Sequence, residues 1–480
     1  MNKKTSLLFY LLMMIVFGVI IYWILQQGQA LEKPGRIPYS LATVHNNLQV
    51  FTNSFSQHLT LPLPVLLLQI IIIVLCTRFF GFVFNKIGQP AVIGEIVAGI
   101  ILGPSLLGLL LPGISHFIFP VDSLNNLQFL SQVGLILFMF VIGMEVDISI
   151  IRKQAYDAVI ISHASIVIPY ALGMGLSFFL YRQFAPEHIS FLSFALFIGI
   201  AMSITAFPVL ARIIQERGIT KTKLGVMALT CAASDDVTAW CILAALIAII
   251  KAGSTVSILF TVCLVIFYII IMLLVVRPVL QKIYFLYEKQ NMMSRAMMAI
   301  VFIVLLVSAY ATEAIGIHAL FGSFMAGMIM PQDMQFRKII IGKIEDISMV
   351  LLLPLFFVFT GLRTQVGLLN HGYLWITCGW ILLVAIIGKF GGSTLAAKVV
   401  GQTWKDSLSI GALMNTRGLM ELIVLNIGYD LGILSPEIFT MLVLMALITT
   451  CMTNPSLDFI NWMMPGEKKI KEPGLGMQKV

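Results

Sequence analysis

Charge is what this chain has least of. Asp, Glu, Lys and Arg together make up 11% of its 480 residues, where a soluble domain carries about 25%. That scarcity, beside 59% hydrophobic residues, excludes an ordinary water-soluble globule. The six cysteines (Cys76, Cys231, Cys241, Cys263, Cys378 and Cys451) all fall in apolar stretches without CxxC spacing. They indicate neither a zinc site nor a disulfide framework. No GxxxxGK(S/T) run occurs, so there is no phosphate-binding loop for ATP-driven work. The seven histidines lack metal-ligand spacing, and His163 and His318 read as pore-facing or packing residues. No cofactor and no resident metal are expected.

Long apolar runs are what the chain has in abundance. Fourteen segments stand out, at about 5–27, 63–83, 90–111, 129–147, 157–181, 189–213, 223–250, 254–276, 295–312, 315–330, 345–362, 373–397, 407–429 and 436–457. A membrane-spanning helix needs about 17–25 such residues. The fold class is therefore an all-α polytopic membrane protein, with thirteen core helices and one N-terminal helix. The first segment, in 1–27, follows MNKK and reads as an anchor helix or a signal peptide with Gly28-Gln29-Ala30 as cleavage site. Residues 28–62 are expected as a polar, exported loop and 458–480 as a short cytoplasmic tail.

The net charge of +8 does not imply nucleic acid, because the bases lie in short loops between apolar segments. With a cytoplasmic N-terminus, 23 bases fall inside and only Lys33, Arg36, Arg182, Lys251 and Arg363 fall outside. That is the asymmetry of the positive-inside rule. Lys389 and Arg417 are left within the membrane.

The chain also repeats itself. IGQPAVIGEIVAG at 87–99 and IGIHALFGSFMAG at 315–327 share the pattern IGxxAxxGxxxAG. FMFVIGM at 138–144 and FFVFTGL at 356–362 follow in the same order. These motifs divide the chain into a first six-helix repeat at 63–250, a linker helix at 251–292 and a second repeat at 293–457. Repeat partners lie seven spans apart, so they cross in opposite directions. Inverted repeats are the construction of many secondary transporters, whose site lies at the midplane on interrupted helices.

Two segments carry such interruptions. FIGIAMSITAFPVLARII places Pro208 inside an apolar span with Ser203 and Thr205 beside it, and Asn415-Thr416-Arg417-Gly418 interrupts the equivalent segment of the second half. The segment after the first break carries Asp235 and Asp236. An acid at membrane depth is costly, which makes it a functional candidate. Neighbours on a helix point about 100° apart, so one acid is expected to meet a transported ion and the other a counter-charge. Lys389, alone in ILLVAIIGKFGGSTLAA, is the counter-charge candidate, and Arg417 and Glu421, four apart, are placed to pair. Glu95 and Glu145 read as interfacial.

Four motifs in order, ITAFPVLARII (204–214), AASDDVTAW (232–240), GKFGG (388–392) and MNTRGLMELIVLNIG (414–428), resemble the monovalent cation:proton antiporters. The likeness is to the branch holding the plant cation/proton exchangers and their bacterial relatives, and it covers residues 63–457. The resemblance implies a sodium/proton-antiporter-like fold with two crossed, broken helices, a dimerisation domain and a mobile core. It places Asp236 on the essential ion-binding aspartate, Lys389 on the basic partner of the preceding acid, and Arg417 on the second crossing helix. That preceding position, Asp235, is asparagine in plant and electroneutral members and aspartate in electrogenic bacterial ones. The N-terminal helix lies outside the usual thirteen-helix plan.

The expected activity is antiport of a monovalent cation, Na+ or K+, against protons, without enzymatic chemistry. Burial disfavours the ionised form of a carboxylate and a nearby cation favours it, so proton and cation would compete for Asp236. The alternative is a gated potassium efflux channel, although channel-like members of the superfamily usually add a cytoplasmic nucleotide-binding domain. Expected partners are the cation, the proton, the bilayer and a second copy of the chain. The expected location is a bacterial inner membrane, with the C-terminus cytoplasmic.

Overall fold

The computed structural model describes residues 3–29, 47–145, 155–220, 222–251, 255–288 and 295–464. Half of the expected exported loop, the loop bases Lys33, Arg36, Arg152, Lys153, Lys221 and Lys289, Ala30 of the possible cleavage site and the tail lysines fall outside these residues. Among the described residues the structure is helical, with no strand. Among the described residues twelve helices are long and apolar enough to cross a membrane, and a bent pair makes a thirteenth span. One shorter apolar helix, Ala319–Ile329, completes the fourteen expected segments.

The chain divides into two units, Met1–Pro64 and Val65–Val480. In the first, α1 (Lys3–Gln29) is apolar on all sides, as a helix facing lipid would be. The stretch read as a loop contains α2 (Asn47–Leu59). Phe51, Phe55 and Leu59 recur every four residues and form one apolar stripe, with the two phenyl rings stacked 6.0 Å apart. That spacing is helical, although the stretch is too polar and too short to register as a span.

In the second unit the repeated motifs account for the packing. The first half supplies α3 (Pro62–Lys86), α4 (Ala91–Leu102), α5 (Leu124–Glu145), α6 (Ala155–Phe184), the pair α7 (Phe191–Ser203) and α8 (Phe207–Glu216), and α9 (Lys223–Lys251). Next come α10 (Thr255–Ile271) and α11 (Arg277–Glu288), joined by a π turn. The second half supplies α12 (Arg295–Ile315), α13 (Ala319–Ile329), α14 (Met334–Ile347) and α15 (Leu353–Arg363). It continues with α16 (Gly372–Ile386), α17 (Gly392–Val399), the bent pair α18 (Trp404–Met414) and α19 (Leu419–Asp430), and α20 (Pro436–Met463).

The halves exchange partners: α4 packs along α15, and α5 packs along α13. Both seams are glycine on glycine. A Cβ on Gly99 would lie 2.7 Å from the Val358 Cα, and one on Gly361 would meet the Gly99 backbone. On the other seam a Cβ on Gly327 would lie 2.8 Å from the Met144 nitrogen, and one on Gly143 would meet the Phe324 carbonyl. Small residues allow helix backbones this close in a membrane, where packing rather than hydrophobicity drives association. Reciprocal seams of this kind are what two halves related by a pseudo-two-fold axis produce. The leading glycines of the two motifs, Gly88 (φ 76°) and Gly316 (φ 96°), take the left-handed turn before each second helix.

The two interrupted helices cross at their breaks. α7 ends at Ser203, Ile204 and Ala206 are extended, and α8 begins at Phe207 with Pro208 in its first turn. Pro208 therefore opens a new helix, where its missing N–H costs nothing, and the break precedes it. α18 ends at Met414, and Gly418, at φ 153°, turns the chain into α19 with a bend of 40°. The peptides meet through the Ala206 amide, which donates to the Thr416 carbonyl at 3.1 Å.

Candidate functional site

Asp235 and Asp236 lie on α9, and both are buried. Asp235 is saturated with donors. Ser162 Oγ donates to Oδ1 at 2.6 Å, while Oδ2 accepts from Ser165 Oγ and from Thr205 Oγ1 at 2.8 Å. Lys389 Nζ lies 3.0 Å from the same Oδ2, with both side chains fully buried. The two serines are three residues apart on α6, which places them on one helix face, and Thr205 comes from the extended break between α7 and α8.

Lys389 reaches this position from a π turn, Ile387–Gly391, that interrupts α16 and α17. Its ammonium also donates to the carbonyls of Ser165, at 2.9 Å, and Ser203. Arg417 completes the cap on α7, donating to the Ala201 carbonyl at 2.9 Å and the Met202 carbonyl at 2.6 Å. The last carbonyls of a helix have no partner within it and carry its negative dipole end. Two buried cations thus take three consecutive carbonyls, Ala201 to Ser203. Arg417 also lies 3.3 Å from Glu421, which stands in the first turn of α19, at the positive end of that helix. Thr450 of α20 clamps the Arg417 backbone from both sides, accepting from its amide and donating to its carbonyl at 2.7 Å.

Asp236 differs. It is 2% exposed, and neither carboxyl oxygen has a hydrogen-bond partner. The Phe207 amide, at the start of α8, approaches it without forming a hydrogen bond of ordinary geometry. With every group ionised the cluster holds three carboxylates (Asp235, Asp236 and Glu421) and two cations (Lys389 and Arg417). Asp235 pairs with Lys389 and Glu421 pairs with Arg417, which leaves one negative charge on Asp236. An unpaired buried charge is expensive, and Asp236 is the group of the cluster whose charge nothing in it offsets.

The remaining candidates sit around this centre. Ser203 Oγ turns back to the Ile200 carbonyl at 2.9 Å, so its carbonyl, and not its hydroxyl, faces Lys389. Thr416 Oγ1 contacts Thr453 Oγ1 at 3.1 Å, and the buried Asn415 Oδ1 has no partner. His163 is exposed and its ring faces the Val159 carbonyl, while His318 caps α13. Among the described residues no group of three His, Cys, Asp or Glu is placed to hold a metal.

The sequence matches the family model described as sodium/hydrogen exchanger, transmembrane, over residues 70–460. The chain belongs to the sodium/hydrogen exchanger family. It is 44% identical over 394 residues to the Na(+)/H(+) antiporter NhaS4 of Synechocystis sp., a match covering 82% of this chain and 96% of that one. It is 39% identical over 394 residues to cation/H(+) antiporter 17 of Arabidopsis thaliana, with 82% of this chain and 48% of that protein covered. The chain thus spans about half the length of the plant relative. The sodium proton antiporter MjNhaP1 of Methanocaldococcus jannaschii has a similar structure, at a TM-score of 0.64 and 14% identity, covering 85% of this chain and 100% of that one. At that identity the likeness is one of fold.

Two pairs of site residues in this family member were not singled out from the sequence, Ser162 with Ser165 and Thr450 with Thr453. Each pair is three residues apart in an otherwise apolar helix. That spacing was the available signal, but hydroxyls in membrane helices commonly bond their own backbone, which hides the pairs that reach across.

Proposed function

We propose that the chain is a secondary active antiporter that exchanges Na+ or K+ for protons by alternating access, with proton and cation competing for Asp236. The observation that supports this reading is the unpartnered, buried Asp236 carboxyl in a cluster whose other charges pair off. The family and the antiporter relatives support the same class of activity. The cation is substrate: it replaces the proton as the group that neutralises Asp236. An empty, negatively charged core crosses the membrane reluctantly, so either ion crosses only in exchange for the other.

Asp235 and Lys389 give this cycle its charge. With a cation at Asp236 and the pair intact, the cluster is neutral in all. If Asp235 also takes a proton as Asp236 does, Lys389 is left unpaired and the loaded core carries one positive charge. Two protons then exchange for one cation. The reading places the protein in a bacterial inner membrane with its C-terminus in the cytoplasm, and its mobile core beside a dimerisation domain.

The test is proton flux in vesicles of purified protein, driven by gradients of Na+, K+ or Li+. Asp236→Asn is expected to remain inserted and to abolish cation-dependent flux. Near-normal flux from Asp236→Asn refutes the mechanism, and uncoupled cation current from the unaltered protein would mark a channel instead.

A further inference from the structure

At the far end of α19 from the ion site stands a second polar cluster that the exchange mechanism leaves unused. Arg363, the last residue of α15, lies 2.7 Å from Asp430, the last residue of α19. The same guanidinium donates to Asn426 Oδ1 at 3.1 Å and sits over the rings of Phe359 and Tyr429, 4.2 and 5.2 Å from their centroids. Gln128 of α5 donates to the other Asp430 oxygen at 3.2 Å, and Asn426 donates to Thr360 Oγ1 of α15 at 2.8 Å. Three residues of α19 are thus tied to α15 and α5, at the end where Arg363 is one of the few bases read as exported.

Beneath these ties lies a crevice between α5, α13, α15 and α19. Its polar lining is Gln128, Ser131, Gln132, His318, Asn426 and Asp430, and its volume is about 30 Å³, room for one or two waters. Polar side chains facing one another across a nearly closed gap are wasteful as packing, since each loses hydration that apolar neighbours would not need. They suit a path that fills with water when it opens. α19 lines the crevice from Asp430 to Ile423, roughly 10 Å at 1.5 Å per residue, and Glu421, two residues further on, stands beside the ion site.

We propose that this crevice is the exported-side ion passage in its closed form, and that the Arg363–Asp430 pair is the latch across its mouth. The proposal rests on the antiport reading above, in which the site must open to each side in turn. Movement of α19 away from α15 and α5 frees Asp430 and exposes the polar lining, leaving a carboxylate at the entrance to attract cations. The pair is partly solvated, with Arg363 17% and Asp430 37% exposed, so it is weak enough to break in every cycle.

Thiol labelling tests the latch without measuring transport. Five native cysteines are replaced, Cys378 is kept as a buried control that does not line the crevice, and Ser131→Cys is added as reporter. A membrane-impermeant maleimide is applied from the exported side. Arg363→Gln and Asp430→Asn are each expected to label Cys at position 131 roughly five-fold faster, the factor set by losing a partly exposed ion pair, with Cys378 unchanged. An unchanged rate at the reporter overturns the latch. An equal rise at Cys378 overturns it too, because it signals general loosening. Absence of exchange in the unaltered protein would defeat the antiport reading while the labelling still reports on the latch.

Discussion

Asp235 accepts from three hydroxyls and an ammonium, while Asp236, one residue along and turned about 100° away, accepts from nothing. The division of labour follows from which donors lie on each side of α9. Lys389→Ala would leave Asp235 buried with its hydroxyls but without its counter-charge, and breaking a buried pair costs about 3–5 kcal/mol. The expected result is a lower melting temperature in detergent for Lys389→Ala than for the double variant Lys389→Ala with Asp235→Asn. Equal values would mean the pair contributes nothing. Ser162→Ala removes one charge-assisted hydrogen bond, worth about 1.5–3 kcal/mol, and is expected to lower the melting temperature while cation-dependent proton flux persists, because Asp236 is untouched. The acids, Lys389 and Arg417 were legible in the sequence because a charge in an apolar run has so few neutral explanations. Ser162, Ser165 and Thr450 were not, because hydroxyls are cheap in a membrane helix, and sequence carries no register between α6 and α9.

Both broken helices were announced by their residues, Pro208 in one and Asn415-Thr416-Arg417-Gly418 in the other. The π turn that presents Lys389 was not, since a single widened turn leaves no periodicity to detect. α14 also escaped: its segment was expected to begin at 345, whereas the helix starts at Met334. Phe336, Ile340 and Ile344 are buried at intervals of four between Arg337, Lys338, Lys343 and Glu345. It is an amphipathic approach to the span, which average hydropathy rejects. The seam glycines were legible as a motif, and their partners were supplied by the structure. Gly361→Ala and Gly99→Ala each force a methyl against the opposing backbone, an overpacking cost of about 1–3 kcal/mol. Gly379→Ala, with nothing within 4 Å of the added carbon, is the control expected to leave the melting temperature unchanged. Equal behaviour of all three would show that the seams tolerate separation.

For the whole molecule, the two-proton cycle proposed above makes the charge moved per cycle its measurable consequence. With Asp235 replaced by Asn, only Asp236 remains to titrate, and the proton-loaded and cation-loaded clusters carry the same charge, so a full exchange moves none. A membrane potential acts with about 2.3 kcal/mol per charge per 100 mV. A potassium–valinomycin potential imposed on vesicles should therefore accelerate Na+ or Li+ exchange by the unaltered protein and leave Asp235→Asn unaffected. Equal responses from the two proteins would rule out the two-proton cycle. The exchanged glycine seams bear on how the protein is made. Gly99 waits for Gly361 and Gly143 for Gly327, so the first half leaves the ribosome with both of these seams unmet. Fragments 1–292 and 293–480 should therefore be degraded when expressed singly and accumulate when expressed together.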